Sequence, residues 1–460
     1  MPIILLIIAG AAAVAAGFLA VSVSPSVLMA AAGCLLVSAF AFMSPKLSLV
    51  LLIFSMLLSP EIGFGGGFGS RSAVLRYDDI LLVIIFFAWL ARTAISKSKP
   101  FITATPVQTP MLIYTAIAIV STALGVLRGD VRFQIAFFYV LKYVEYFLLY
   151  FMVVNILDSK EEMKRYLKYA FVVALLVTAY AYYFYASAGP FARATAPFET
   201  TIDKPGESEP ASLGGYYLLV FGFIMAAMTE YSGSALFYGL AAMLAMLPAF
   251  LATFSRSSYI GFVFMSLTLL VTARRRRMVL GFFLCVGAAS AFLIPGLLKK
   301  VENRVTMTYR GPEAVNVYKL GSAGQIRMEG SAAARVDSLH RVLFEKLPRH
   351  PLLGWGVTGI GLGDTQYALV LGEMGLAGFF VFLWMLYRII RTAGSVYRAY
   401  EEPWIKALGL GLMASIAGLL FQAVGVNNFI IVRIMEPFWF LTAMVMALNN
   451  GLDKKTAASG

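Results

Sequence analysis

Apolar stretches the length of a bilayer crossing recur along almost the whole chain, separated by short polar links. A bilayer core takes about 20 residues of helix. Runs of that order occupy 3–22, 26–43, 46–60, 79–96, 108–127, 136–157, 168–188, 213–230, 234–253, 257–273, 278–297, 366–387, 404–425 and 434–449. In lipid, backbone N–H and C=O groups must be paired within the segment, so solid apolar runs predict helices. A membrane barrel would instead alternate apolar and polar residues. The pattern therefore predicts an all-α integral membrane protein of about fourteen transmembrane helices. The runs at 46–60 and 257–273 are short, and read as tilted or partly re-entrant neighbours.

The repetition breaks at 298–365, which is polar. The chain divides accordingly into an N-terminal transmembrane bundle (1–297), a loop domain (298–365), and C-terminal transmembrane helices with a tail (366–460). Within the loop, Val336, Leu339, Leu343 and Leu347 recur at three- and four-residue steps, predicting a helix over 330–347 with one apolar stripe. Asp337 and Arg341 can pair on its polar side. Pro348 ends it, lacking an N–H and clashing with the preceding turn. The stripe needs a partner, either the membrane surface or the ends of the bundle. Arg349-His350-Pro351-Leu352-Leu353-Gly354-Trp355-Gly356 follows, then Gly359, Gly361 and Gly363. This reads either as a close backbone approach or as a plain glycine-rich turn returning the chain to the membrane.

Charge gives an orientation. Arg274, Arg275, Arg276 and Arg277 adjoin a span and belong on the cytoplasmic side. Counting spans from there puts both termini inside and the loops 61–78, 189–212 and 298–365 outside. The large loop nevertheless carries ten Lys/Arg against five carboxylates up to Arg349. Arg71, Arg76, Arg128, Arg132, Arg193 and Arg433 also fall on the side where basic residues are scarce. An anion at that surface accounts for the set as a whole. The net charge of +13 is thus assigned to orientation and an anionic ligand, not to nucleic acid. Cys34 and Cys285 both lie in apolar runs and predict no disulfide framework. No Cys/His metal spacing and no nucleophile-elbow sequence occurs. No internal duplication of the kind common in transporters is evident.

Arg256 stands between two apolar runs with no acid close in sequence. An arginine at that depth is costly unless paired, so it is a functional candidate; the alternative is an anchor that snorkels to the headgroups. Arg193, Arg304, Arg310, Arg71 and Arg76 are candidates for anion contact. Asp364 reads as a general base, a sugar-hydroxyl ligand or a cap for the next helix. Glu373 lies about two turns into a span and needs a partner, with Arg256 across the bundle as one choice. Lys142 and Glu145, at i,i+3 within a span, read as a local pair. His340 and His350, the only histidines, read as a surface residue and a turn residue before proline.

Several of these pieces occur in one order: Thr253-Phe254-Ser255-Arg256 closing a span, a loop helix containing Arg335, the segment His350–Gly356, then Tyr367, Glu373, Gly375 and Gly378 opening the next span. The set resembles the O-antigen ligase and Wzy-type polysaccharide polymerase superfamily over roughly 250–380. The resemblance implies a bacterial inner-membrane glycosyltransferase that moves a glycan from undecaprenyl pyrophosphate to an acceptor hydroxyl in the periplasm, with no cofactor and no metal. It implies Arg256, Arg335, Asp364 and Glu373 as catalytic residues and Arg193, Arg304, Arg310, His350, Arg71 and Arg76 as substrate contacts. Its partners would be the undecaprenyl-pyrophosphate-linked oligosaccharide, membrane lipids, and assembly proteins such as a flippase and a chain-length regulator. The ligase pattern has His and a polar residue nine residues before Gly-x-x-Gly. Here Asp364 and Thr365 stand at that place, before Gly375 and Gly378, which favours a polymerase. The alternatives are a ligase and, from another class, a transporter or flippase for lipid-linked sugars.

Overall fold

The computed structural model describes residues 33, 36–63, 74–96, 103–189, 192–199, 209–275, 281, 296–310, 314–319, 325–361 and 363–459. In chain order these form α1 (Pro45–Leu58), a hairpin of β1 (Glu61–Gly63) and β2 (Val74–Arg76), α2 (Tyr77–Ser96), α3 (Gln108–Leu127), α4 (Phe133–Ile156), α5 (Lys160–Ser187), α6 (Pro210–Glu230), α7 (Ser234–Leu251) and α8 (Arg256–Thr272). The loop domain adds α9 (Leu297–Thr306), a hairpin of β3 (Asn316–Lys319) and β4 (Gln325–Met328), and α10 (Gly330–Arg341). The chain ends with α11 (Gln366–Ala399), α12 (Pro403–Gln422) and α13 (Val432–Ser459). Among the described residues, seven helices are long and apolar enough to cross a membrane, and α1 and α8 are shorter apolar helices. The protein is thus an all-α membrane protein carrying two small antiparallel hairpins. The expected span 3–22, and most of 26–43 and 278–297, lie outside the described residues.

Helices α5, α11 and α13 run past their apolar windows. α5 begins at Lys160 because Ser159 accepts the Glu162 N–H at its start, and Glu161 and Glu162 suit the positive end of a helix dipole. α11 continues to Ala399, twelve residues beyond the expected apolar window, because its polar last turns still pair their backbone. The two hairpins were not expected; they are short and sit inside polar links.

α12 forms the centre, packed between α6, α8 and α11. Lipid supplies no hydrophobic drive between helices, so close packing of small residues does the work. A Cβ on Gly411 would come within 2.8 Å of the Phe223 Cα, and one on Gly261 within 2.6 Å of the Gly418 carbonyl. Buried Gln422 then ties three elements together. Its amide donates to the Ala211 carbonyl and the Ser258 hydroxyl, both at 2.9 Å, and its carbonyl accepts from Asn428 at 2.9 Å. These bonds fix the start of α8, where Arg256 stands.

α11 is broken at Gly375, whose φ of 63° is left-handed. The glycine-rich run serves this break. Trp355 and Gly356 N–H groups donate to the Gly372 and Glu373 carbonyls, both at 2.9 Å. The Leu376 and Ala377 N–H groups donate to Pro351 and Leu352 carbonyls at 2.8 and 3.1 Å. The helix bonds lost at the break are thereby replaced by the loop, as a membrane setting requires.

The predicted stripe of the loop helix has a definite partner. The α-helix ends at Arg341 and a π-helical turn, Val342–Lys346, follows. Val342 is buried against Ala368 and Leu371 of α11, with Leu339, Leu347, Leu376 and Phe379 around it. Val336 and Leu343 of the expected stripe stay exposed; the π turn, in which the Leu347 N–H bonds the Val342 carbonyl at 2.8 Å, brings Val342 and Leu347 to one face five residues apart.

Candidate functional site

Four arginines converge at the end of the bundle where α6, α8 and α11 begin. Arg256 is the first residue of α8, beside backbone N–H groups that a helix start leaves unpaired. Its guanidinium donates to the Thr308 hydroxyl and the Glu329 carboxylate, and reaches Ser331 at 3.3 Å. Arg304, from α9, lies 3.8 Å from the other Glu329 oxygen. Arg335, on α10, donates to the Gly425 carbonyl at 2.7 Å and to the Ser331 carbonyl and hydroxyl at 3.0 and 2.8 Å. Arg193 donates to the Thr253 and Phe254 carbonyls at 3.0 and 3.2 Å. It thereby straps the tight turn between α7 and α8, where Phe254 holds a φ of 49°.

The electrostatics follow from this crowding. Burial, then repulsion by Arg304, Arg256 and Arg335, pulls the Arg193 pKa down to about 10. Arg335 is also lowered, first by burial and then by Arg256; Asp364 and Glu329 oppose the shift. The four guanidiniums face two carboxylates, Glu329 and Asp364, an excess of two positive charges among the described residues. A doubly anionic group placed between them would restore neutrality and relieve the repulsion.

Four of the expected residues, Arg193, Arg256, Arg304 and Arg335, thus come together, and Asp364 adjoins Arg335. Asp364 is exposed and its N–H donates to the Ser338 hydroxyl. The cap of α11 is its neighbour Thr365, which accepts the Ala368 N–H at 3.1 Å. Arg310 is exposed, two residues beyond Thr308.

The remaining candidates go elsewhere. Glu373 does not pair with Arg256, whose carboxylate partner is Glu329. Instead Glu373 is fully buried and accepts the Thr358 N–H at 2.7 Å, holding the glycine-rich run to the helix break. His350 packs edge-on against Trp355, with ring centres 4.6 Å apart, and is part of the same junction. Arg76 is buried at the start of α2, against Asp78 at 2.9 Å, in a second charged cluster. Arg71 lies outside the described residues. Lys142 and Glu145 do pair, at 3.2 Å, but Lys142 also bonds Asp79 of that same cluster.

Two organising acids escaped the sequence reading. Glu329 precedes α10 and is only 3% exposed; nothing local singled it out among the five acids of a basic loop. Glu199 takes N–H or O–H bonds from Thr195, Ala196, Glu209 and Ser212, the last three at 3.1 Å. Those bonds fix the segment carrying Arg193 to the start of α6. Burial pushes its carboxyl pKa up, with Arg433 opposing.

No protein-family model matches the chain, and no curated protein matches it.

Proposed function

We propose that this protein is a membrane glycosyltransferase that transfers a glycan from a polyprenyl diphosphate carrier to an acceptor hydroxyl, most simply polymerising lipid-linked repeat units. The observation that carries the reading is the group Arg193, Arg256, Arg304 and Arg335, with its uncompensated charge, at one end of a membrane bundle. A diphosphate diester is doubly anionic and its lipid tail stays in the bilayer, so a cationic site at the mouth of apolar helices suits it. The motif order of the superfamily named above is in keeping with this, and by that resemblance the face carrying residues 298–365 would be the periplasmic side of a bacterial inner membrane.

In the proposed reaction the acceptor oxygen bonds to the anomeric carbon while the carbon–oxygen bond to the diphosphate breaks. The hydroxyl proton leaves to solvent or a nearby base, and the diphosphate departs on its lipid. Fixed guanidiniums aimed at the departing oxygens lower the barrier, because negative charge grows there as the bond breaks. Arginine is charged at neutral pH and binds phosphate oxygens in pairs. Asp364, exposed beside Arg335, is the available carboxylate for a sugar or acceptor hydroxyl. Glu373 and His350 support the site through the helix break and have no direct role.

The test uses purified protein with undecaprenyl-pyrophosphate oligosaccharide as the only substrate. Longer lipid-linked glycans are expected. Product formed only after a second acceptor is added would make it a ligase, and movement across the bilayer without bond formation would make it a transporter. Arg256→Ala should reduce turnover by about 10²–10³-fold, the usual cost of losing one such donor, with membrane insertion intact. Normal glycan length in that variant would remove the arginine group from the mechanism.

A further inference from the structure

A second charged cluster lies where α2, α4 and α13 meet, apart from the arginine group. Arg76 ends β2, Asp78 and Asp79 open α2, Lys142 and Glu145 come from α4, and Glu436 stands one turn into α13. Asp78 and Glu436 are each 1% exposed, and Asp79 and Glu145 each 4%. Arg76 bonds Asp78 at 2.9 Å and the Met56 carbonyl at 2.8 Å. Lys142 bonds Asp79 and lies 3.2 Å from Glu145. The Arg76 N–H donates to Asp79 at 2.9 Å, and the Asp78 N–H donates to Ser59 at 3.0 Å.

Two cations therefore face four carboxylates among the described residues, leaving two negative charges in a buried place. Such an excess is too costly to stand alone. The carboxylates also hold oxygens that no hydrogen-bond donor reaches: Asp78 Oδ1, Asp79 Oδ1 and Glu436 Oε2. Glu145, on a different helix beside Asp79 and Lys142, adds a further such oxygen, Oε1. Oxygens from Asp78, Asp79 and Glu436 all lie within 4.8 Å of one another. Ca²⁺ accepts irregular sets of carboxylate oxygens, whereas Mg²⁺ dehydrates reluctantly and keeps several waters, which suits so buried a place less.

We infer that Asp78, Asp79 and Glu436 form a binding site for a divalent cation of the Ca²⁺ class, with Glu145 and Lys142 beside it. Four carboxylates, two basic side chains and one divalent ion sum to zero charge. The ion would tie the β1–β2 hairpin and the first turn of α2 to α13, and through Lys142 to α4, so its role is to brace the bundle. The site takes no part in the proposed transfer chemistry and stands whether or not that reading holds.

The experiment measures metal content by mass spectrometry on full-length protein purified without chelator in Ca²⁺-containing buffer. It then follows melting temperature through EDTA stripping and titration with Ca²⁺, Mn²⁺ or Mg²⁺. Bound calcium in equimolar amount is expected, with a melting temperature that falls on stripping and returns with Ca²⁺ more readily than with Mg²⁺. Tb³⁺ added to stripped protein should give emission sensitised by Tyr146, beside Glu145 on α4. Glu436→Gln and Asp79→Asn should each lose the metal and the Ca²⁺ response. Metal-free wild-type protein, indifferent to EDTA and giving no Tb³⁺ emission, would overturn the site and leave protons to balance the charge. The wild-type measurements decide the matter even if a variant fails to fold.

Discussion

At the scale of single residues, the arginine group depends on one buried carboxylate. Glu329 is buried yet shared by Arg256 and Arg304. Removing it by Glu329→Ala should leave a buried positive excess and cost about 3–5 kcal/mol of stability, as for other broken buried pairs. A melting curve of the purified variant checks this, and an unchanged midpoint would show the pair to be incidental. Inorganic pyrophosphate should raise the melting temperature of the wild type by relieving repulsion among the four cations. The pH dependence follows from Arg193. Its folded pKa, about 10, lies below the ordinary 12.5. At neutral pH it is charged in both states, and its charge disfavours the fold. As pH rises past about 10 the folded protein loses that proton before the unfolded chain does, so this penalty fades. Pyrophosphate binding should weaken over the same rise, because the cation it needs is lost. A stabilisation by pyrophosphate that holds constant to pH 11 would exclude Arg193 as a contact.

At the scale of elements, the broken helix α11 and the run 351–356 are one unit. Each supplies the bonds the other lacks, and neither half is stable alone in lipid. Gly375 is where this is most exposed to substitution. Its φ of 63° is unsuited to a side chain, and a Cβ there would lie 2.5 Å from the Leu352 carbonyl carbon and oxygen. Both are backbone atoms and cannot rotate aside. Gly375→Ala should therefore cost about 1–3 kcal/mol in strain alone, with the clash added, and should detach the run from the helix. Protease sensitivity around Trp355 would report the detachment, and a wild-type cleavage pattern would refute it. The π turn after Arg341 belongs to this scale too. The sequence placed a helix here correctly, but the π turn shifted which apolar residues face α11.

At the scale of the whole molecule, helix packing rests on small residues at the α6–α12 and α8–α12 crossings. Gly261→Leu should separate α8 from α12, because its Cβ would sit 2.6 Å from the Gly418 carbonyl and the backbone would have to move. Arg256 would move with the start of α8, so activity should fall more than stability. Equal wild-type turnover would show that the crossing does not position the site. The proposed orientation is tested separately: Arg310→Cys, in a chain with Cys34 and Cys285 replaced, should react with a membrane-impermeant thiol reagent in bacteria with a permeabilised outer membrane. Protection there, with labelling only after lysis, would put the loop domain in the cytoplasm.

The membrane class, the positions of the described helices outside the loop domain, and Arg256 as a candidate could be read from the chain itself. The reason is that burying backbone and charge in lipid is so costly that hydropathy and lone arginines betray it locally. Arg193 and Arg304 followed from the excess of basic residues, Arg335 from the resemblance, and α9 was not foreseen. Partnership could not be read this way. Glu329 lies 73 residues from Arg256, and Glu436 lies hundreds of residues from Asp78, so no periodicity connects them. Glu373 looked catalytic because a buried acid in a span needs a partner, and the fold supplied a backbone N–H instead of a guanidinium. Sequence fixes what each side chain would cost where it stands; only the crossing of helices decides which charge answers it.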